Sequence, residues 1–197
     1  MPLLSVTSVV VYRRHAPLFS PATFSLELGD CMLLAAGNGV GKTTLLDCIA
    51  GLYHDWTGTI EKPRNEVSYL QQSSRYVHTL SLSSLARLVI GFDEVTYQRL
   101  LESLDLGHRK DAFLAVLSGG ELQRARLLLA LLRRHRVLLL DEPFANVDLC
   151  SSEAIAAQLQ KTRSARATLI VSHPRDAHNI SIQGSTVYEL HRSYSRT

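Results

Sequence analysis

Two periodicities alternate along the chain. Leu3 to Tyr12 is rich in β-branched residues, and Phe24, Leu26 and Leu28 alternate with polar neighbours. Both spans predict strands, antiparallel to one another, with Gly29-Asp30 turning the chain toward the next element. Cys31 to Ala35 is an unbroken apolar run, the pattern of a strand buried on both faces. It leads into a glycine-rich stretch and then Thr43 to Tyr53, which reads as a helix. Val67 to Leu70 is a further short strand ending at Gln71-Gln72. From Ser73 to Val116, 44 residues, the pattern turns polar and helical, with Leu82, Leu85 and Leu88 and then Leu100, Leu101 and Leu104. This predicts a small helical subdomain, at about 73–135, inserted into an α/β core. Val137 to Leu140 and Thr168 to Val171 resume as buried parallel strands, Thr186 to Leu190 as a last strand, and His191 to Thr197 as a frayed tail. No internal repeat is present, so 1–197 reads as one domain with one nucleotide unit.

Composition narrows the class without naming it. A hydrophobic content of 46% with 20% charged residues is that of a packed globular chain. The net charge of +3 is too small, and its basic residues too scattered outside Arg133-Arg134-His135-Arg136, to indicate nucleic acid. No apolar stretch is long enough to cross a bilayer, since Leu127 to Leu140 is cut by that basic run. The N-terminal charges follow the apolar residues, the reverse of a signal peptide. A soluble protein that meets any membrane through a partner is the expectation. Three cysteines, Cys31, Cys48 and Cys150, and eight histidines show no metal-ligand spacing. Cys31 and Cys48 sit in apolar stretches and read as small buried hydrophobes.

Three stretches carry chemistry. Ala36-Gly37-Asn38-Gly39-Val40-Gly41-Lys42-Thr43-Thr44 lies between a predicted strand and a predicted helix, the setting of a phosphate loop. Glycines there let backbone N–H groups turn toward phosphate oxygens, and the helix adds its positive end. Lys42 would reach the β- and γ-phosphates, and the Thr43 hydroxyl would ligate Mg²⁺. The first glycine of the usual pattern is replaced by Ala36. Leu138-Leu139-Leu140-Asp141-Glu142 puts two carboxylates at the carboxyl end of a buried strand, where open α/β sheets hold ligands. Asp141 suits Mg²⁺, and Glu142 suits activation of an attacking water. Leu117-Ser118-Gly119-Gly120-Glu121 contains a capping box, Ser118 at the N-cap and Glu121 three residues on. Capping does not call for Gly119 and Gly120, which are poor helix formers. Both are expected to present bare N–H groups outward to a phosphate.

With these motifs in this order, the sequence resembles the ATP-binding cassette ATPases from Tyr12 to His173. The resemblance implies an α/β phosphate-loop NTPase fold with a mixed core sheet, an N-terminal antiparallel β part and an inserted helical subdomain. Tyr12 is similar to the aromatic that stacks on adenine, although a core aromatic on a strand would look the same. Gln72 corresponds to the glutamine that touches Mg²⁺ and senses the membrane partner, with Gln71 in place of the usual proline. Ser118 to Glu121 would bind the γ-phosphate held by an opposite subunit. Asp148 would lie in a loop at the dimer interface, where Ala145-Asn146-Val147 replaces the commoner Ser-Ala-Leu. His173 corresponds to the switch histidine on the γ-phosphate. Glu142, His173, Lys42 and Gln72 are thus the implied catalytic set, and Thr43, Gln72 and Asp141 the implied Mg²⁺ set.

The implied function is ATP hydrolysis driving a transporter, with two copies closing head-to-tail over ATP. Its expected partners are a second ATPase subunit and a separate integral-membrane protein on the inner face of the cell membrane, with no nucleic acid. A soluble cassette ATPase of ribosomes or DNA is an alternative, but 44 residues between glutamine and signature leave no room for a long coiled-coil insert. A small phosphate-loop kinase is another, disfavoured by the intact LSGGE. For substrate, Asp141-Glu142-Pro143-Phe144 is similar to haem-export ATPases, while the short path from Gly58 to Gln72 is similar to metal-ion uptake ATPases.

Overall fold

The computed structural model describes residues 1–71, 79–172 and 182–193. Its strands form two sheets. The first is antiparallel and centres on β1 (Leu4–Arg13), which pairs with β3 (Ala22–Leu26) on one edge and β5 (Trp56–Glu61) on the other. β2 (Ala16–Pro17) closes a hairpin on the end of β1. The second sheet is parallel throughout, in the order β6 (Val67–Leu70), β7 (Val137–Asp141), β8 (Ala167–Ser172), β4 (Cys31–Ala35), β9 (Thr186–Glu189). The antiparallel β part is therefore a sheet of its own, and the mixture of directions lies between the sheets.

The helices are α1 (Lys42–Ala50), α2 (Leu82–Arg87), α3 (Glu94–Ser103), α4 (Gly119–Leu132) and α5 (Leu149–Thr162). α1 stops three residues short of the predicted Tyr53. Gly51 takes a left-handed conformation and its N–H turns back to the Asp47 and Cys48 carbonyls, which ends the helix. β3 likewise ends at Leu26, leaving Leu28 exposed. β5 escaped sequence reasoning because its alternation is weak, with Gly58 in its middle. That glycine is required: a Cβ there would lie 2.5 Å from the Ser8 carbonyl oxygen, where β1 bulges through Ser8 at φ 50°.

The continuous apolar runs of the parallel sheet resolve into two alternating sets, because successive side chains on a strand point to opposite faces. Cys31 and Leu33 of β4, Leu138 and Leu140 of β7, and Ile170 of β8 join a core with α2, α3, α4 and α5. Met32 and Leu34, Val137 and Leu139, and Leu169 and Val171 join a second core with α1 and the antiparallel sheet. α4 is buried on more than one face. From Leu127 to Leu132 every residue is buried, because the helix is enclosed by its neighbours rather than laid on the surface. Arg134, His135 and Arg136, which follow it, bond to other segments. Arg134 donates to Asp93, the N-cap of α3, at 3.0 Å, and the Leu131 carbonyl is served by Arg166 at 2.8 Å.

Candidate functional site

The parallel strands end in register along one edge, Leu70 beside Leu140, Asp141 beside Val171, and Ser172 beside Ala35. The chemistry-bearing segments leave from that edge. After β4 the chain runs through Ala36 to Gly41 into α1. Gly39 has φ 73° and Gly41 φ 110°, the left-handed region in which a Cβ is strained. At Gly41 a Cβ would also come within 2.9 Å of Leu18. Ala36 has no such need: it is not among the described residues with positive φ, and its methyl is buried in the second core. The missing first glycine therefore costs the loop no backbone freedom.

No side chain caps the start of α1, and its first turn holds no acid. Its leading N–H groups and positive end are thus open to an anion. Lys42 is buried and donates to the carbonyls of Ala36 at 2.8 Å and Gly37 at 3.2 Å, so its ammonium is held across the loop. Burial lowers its pKa, and the carboxylates of Glu142 and Asp141 oppose that shift. Beside it is a groove of about 410 Å³, lined by Arg13, Leu18, Asn38, Gly39, Gly41, Lys42, Thr43, Thr44 and Glu142.

Asp141 is the last residue of β7 and 1% exposed. Burial raises its carboxyl pKa, opposed by the Thr43 hydroxyl. Neither carboxylate oxygen completes a hydrogen bond. A buried oxygen pair without donors, facing a threonine hydroxyl beside a phosphate loop, fits a Mg²⁺ ion that takes one carboxylate and fills its shell with water and phosphate. Among the described residues no cluster of three His, Cys, Asp or Glu offers an all-protein metal cage.

Glu142 lies in the left-handed region at φ 50°, a strained conformation for this residue type. Its backbone is held from three directions. Its N–H donates to Val171, its carbonyl accepts from Ala145 N–H at 3.1 Å, and the same carbonyl accepts from Gln123 Nε2 at 3.3 Å. Glu142 lines the Lys42 groove, whereas Asp141 is buried and is not among its lining residues.

Ser118 and Glu121 form the expected capping box, with Ser118 N–H to Glu121 Oε2 at 2.8 Å and Glu121 N–H to Ser118 Oγ at 3.3 Å. Glu121 is turned inward and also accepts from Arg109 Nε at 2.8 Å. That hydrogen bond, with the one from Ser118 N–H, lowers its pKa from the ordinary 4.5 to about 2. The two glycines part company. Ser118 and Gly119 are exposed, but Gly120 is buried. A Cβ at Gly120 would sit 2.5 Å from Ser151 Oγ and 2.8 Å from Asp148 Oδ2. The expectation that both glycines face outward is therefore corrected for Gly120, whose small size lets α4 pack on the start of α5. Asp148 caps α5, accepting from Ser151 N–H at 2.7 Å and Ser151 Oγ at 2.9 Å. Ser118 and Gly119 are not among the residues lining the Lys42 groove.

Tyr12 is half-buried on β1, its carbonyl accepting from Tyr53 OH at 2.6 Å; its neighbour Arg13, with Leu18, lines the groove instead. Sequence reasoning missed Arg13, Leu18 and Gln123, because no spacing in the chain announces a contact made across sheets. Gln72 and His173 lie outside the described residues. The residues before them, Gln71 and Ser172, follow β6 and end β8 on the same edge as the phosphate loop. Burial raises the carboxyl pKa of Asp47 on α1, and the Tyr69 and Gln71 side chains oppose that shift.

Comparison with known proteins agrees with this geometry. The family model described as "ABC transporter" matches residues 19–145. The zinc import ATP-binding protein ZnuC of Pseudomonas syringae pv. syringae is 33% identical over 195 residues, 96% of this chain and 74% of that protein. ZnuC of Pseudomonas aeruginosa is likewise 33% identical over 195 residues, covering 96% of this chain and 72% of its own. Among solved structures, an ATP-binding subunit of an ABC transporter superposes with a TM-score of 0.82 at 23% identity, covering 96% of this chain and 86% of the other. A nucleotide-free ATP-binding cassette gives 0.79 at 19% identity, covering 97% and 88%. No described helix is long and apolar enough to cross a membrane. The chain belongs to the ABC transporter family, as its ATP-binding, ATP-hydrolysing subunit.

Proposed function

We propose that two copies of this chain close head-to-tail over two ATP molecules, each copy completing the other's site. One observation carries this reading: the signature residues Ser118 and Gly119 are exposed yet lie outside the groove that Lys42 and Glu142 line. In the cap, Ser118 and Glu121 serve each other's N–H groups, which leaves the Gly119 N–H to an outside partner. In the closed pair, Gly37 to Thr44 wrap the phosphates, Lys42 neutralises charge at the γ-phosphate, and Glu142 orients the attacking water. Thr43, Asp141 and Gln72 would hold Mg²⁺, which would supply stabilisation of negative charge on the phosphates. His173 contacts the γ-phosphate, and Tyr12 or its neighbour Arg13 meets the base. Asp148 positions the loop at the interface.

The cargo proposed is a divalent transition-metal ion taken into the cell, zinc first, following the relatives' printed function. The relatives do not favour the ribosome- or DNA-associated reading, the kinase reading or haem export. A membrane-embedded partner on the inner face of the cell membrane would dock on the helical insert at about 73–135. An apolar groove there, lined by Leu85, Leu88, Val89, Leu129 and Ala130 and next to the exposed Ile90, supports this.

The test is complementation between two inactive proteins. Lys42→Ala and Ser118→Arg are each expected to hydrolyse no ATP alone. Mixed in equal amounts with the membrane partner, they form pairs with one intact site and recover about a quarter of wild-type activity or more. Absence of any recovery, with mixed pairs demonstrated by differential tags, contradicts the shared site.

A further inference from the structure

Between α3, α5 and the last turn of α4 lies a cavity of about 540 Å³ that shares no residue with the nucleotide groove. Its most telling residue is Arg166, just before β8 and only 7% exposed. Arg166 Nη2 donates to the Leu131 carbonyl at 2.8 Å, but Nη1 is buried with no partner. Among the described residues no carboxylate pairs with the guanidinium, and burial pulls its pKa down to about 10. A second side chain on the same cavity is also unsatisfied: Gln158 is 7% exposed and its Oε1 accepts nothing. Buried polar atoms are ordinarily paired, so an orphan donor and an orphan acceptor on one cavity are a signal. The exposed rim carries Arg99 and Lys161 against a single acid, Glu102. Leu100 and Leu131 supply an apolar wall. The volume lies in the range of organic ligands and well above that of a bare oxyanion.

We propose that this cavity binds a small organic phosphate monoester. An anionic oxygen would accept from Arg166 Nη1, the P–OH of the monoanion would donate to Gln158 Oε1, Arg99 and Lys161 would balance the charge, and the apolar body would lie on Leu100 and Leu131. A carboxylate satisfies the arginine but brings no donor for Gln158, and a neutral alcohol does the reverse.

The experiment uses the whole chain presaturated with Mg²⁺ and a non-hydrolysable ATP analogue, so that the phosphate loop is filled. Phenyl phosphate is titrated by calorimetry, with inorganic phosphate and phenol as controls. The expected result is saturable binding at one site per chain, at least about tenfold weaker for inorganic phosphate and absent for phenol. Arg166→Lys keeps a charge and a donor for Leu131 but loses the fork. Arg99→Glu with Lys161→Glu alters only exposed rim residues and leaves the core intact. Each protein should weaken phenyl phosphate at least about tenfold while melting cooperatively. No saturable binding up to about 10 mM overturns the proposal, as does wild-type affinity in either variant or equal affinity for inorganic phosphate.

Discussion

Glu121 shows how a residue can sit inside a functional motif and serve the fold. Its carboxylate is held by Arg109 and the Ser118 N–H, with a pKa pulled from 4.5 to about 2. The sign follows from linkage: a depressed folded pKa gives stability present above pH 4.5 and lost as pH falls toward 2. The size is at most about 3–4 kcal/mol, since a pKa unit is about 1.4 kcal/mol. Glu121→Gln is therefore expected to lower stability at pH 7 and to flatten its decline between those two pH values, measured by urea unfolding across pH. An unchanged pH slope would count against the assignment. Gly120 is a second such residue. Gly120→Ala forces a methyl against Ser151 Oγ and Asp148 Oδ2 and should cost about 1–3 kcal/mol. Gly119→Ala, whose nearest contact is Asn146 O at 3.4 Å, should cost less than half of that. Much of this was legible beforehand: strand, glycine loop, lysine and helix follow in order, and the capping box reads directly from Ser118 and Glu121. The burial of Gly120 was not legible, because its cause, Ser151, lies thirty-one residues away on another helix.

At the scale of elements, local signals succeeded where they were strong. Cys31 to Ala35 and Val137 to Leu140 were recognisable from unbroken apolar runs, and Val67 to Leu70 as a short strand although Ser68 interrupts it. β5 and α5 were harder, β5 because Gly58 interrupts its pattern and α5 because small residues, Ser151, Ser152, Ala154, Ala156 and Ala157, dilute its periodicity. α5 depends on its cap instead. Asp148→Ala removes the acceptor for both Ser151 groups and should cost about 1 kcal/mol, with faster amide exchange confined to the first turn of α5. Loss of protection spread evenly over the chain would show that the cap is not what anchors this helix.

On the scale of the whole molecule, the parallel sheet divides one chain into two cores that share every central strand. Leu138→Ala and Leu139→Ala, adjacent but facing opposite cores, should each cost about 2–5 kcal/mol and leave a single unfolding transition in calorimetry. Two resolved transitions would mean that the cores fold independently. Nucleotide provides a second global readout. Saturating ATP at about 100 times its dissociation constant should add about 2.7 kcal/mol to wild-type stability and far less to Lys42→Ala, followed as a shift in Tm.

Gly120 has one consequence that reaches beyond its own packing. With no gap between it and Ser151 or Asp148, the first turns of α4 and α5 form a single rigid corner. A load applied at the exposed Ser118–Gly119 face is therefore delivered directly to residue 148. Only five residues, 143–147, separate that position from Glu142, which lies in the left-handed region. In the proposed pair, one short tether would join the contact face to Glu142, so an arriving neighbour would be felt at the carboxylate without any rearrangement of the sheet.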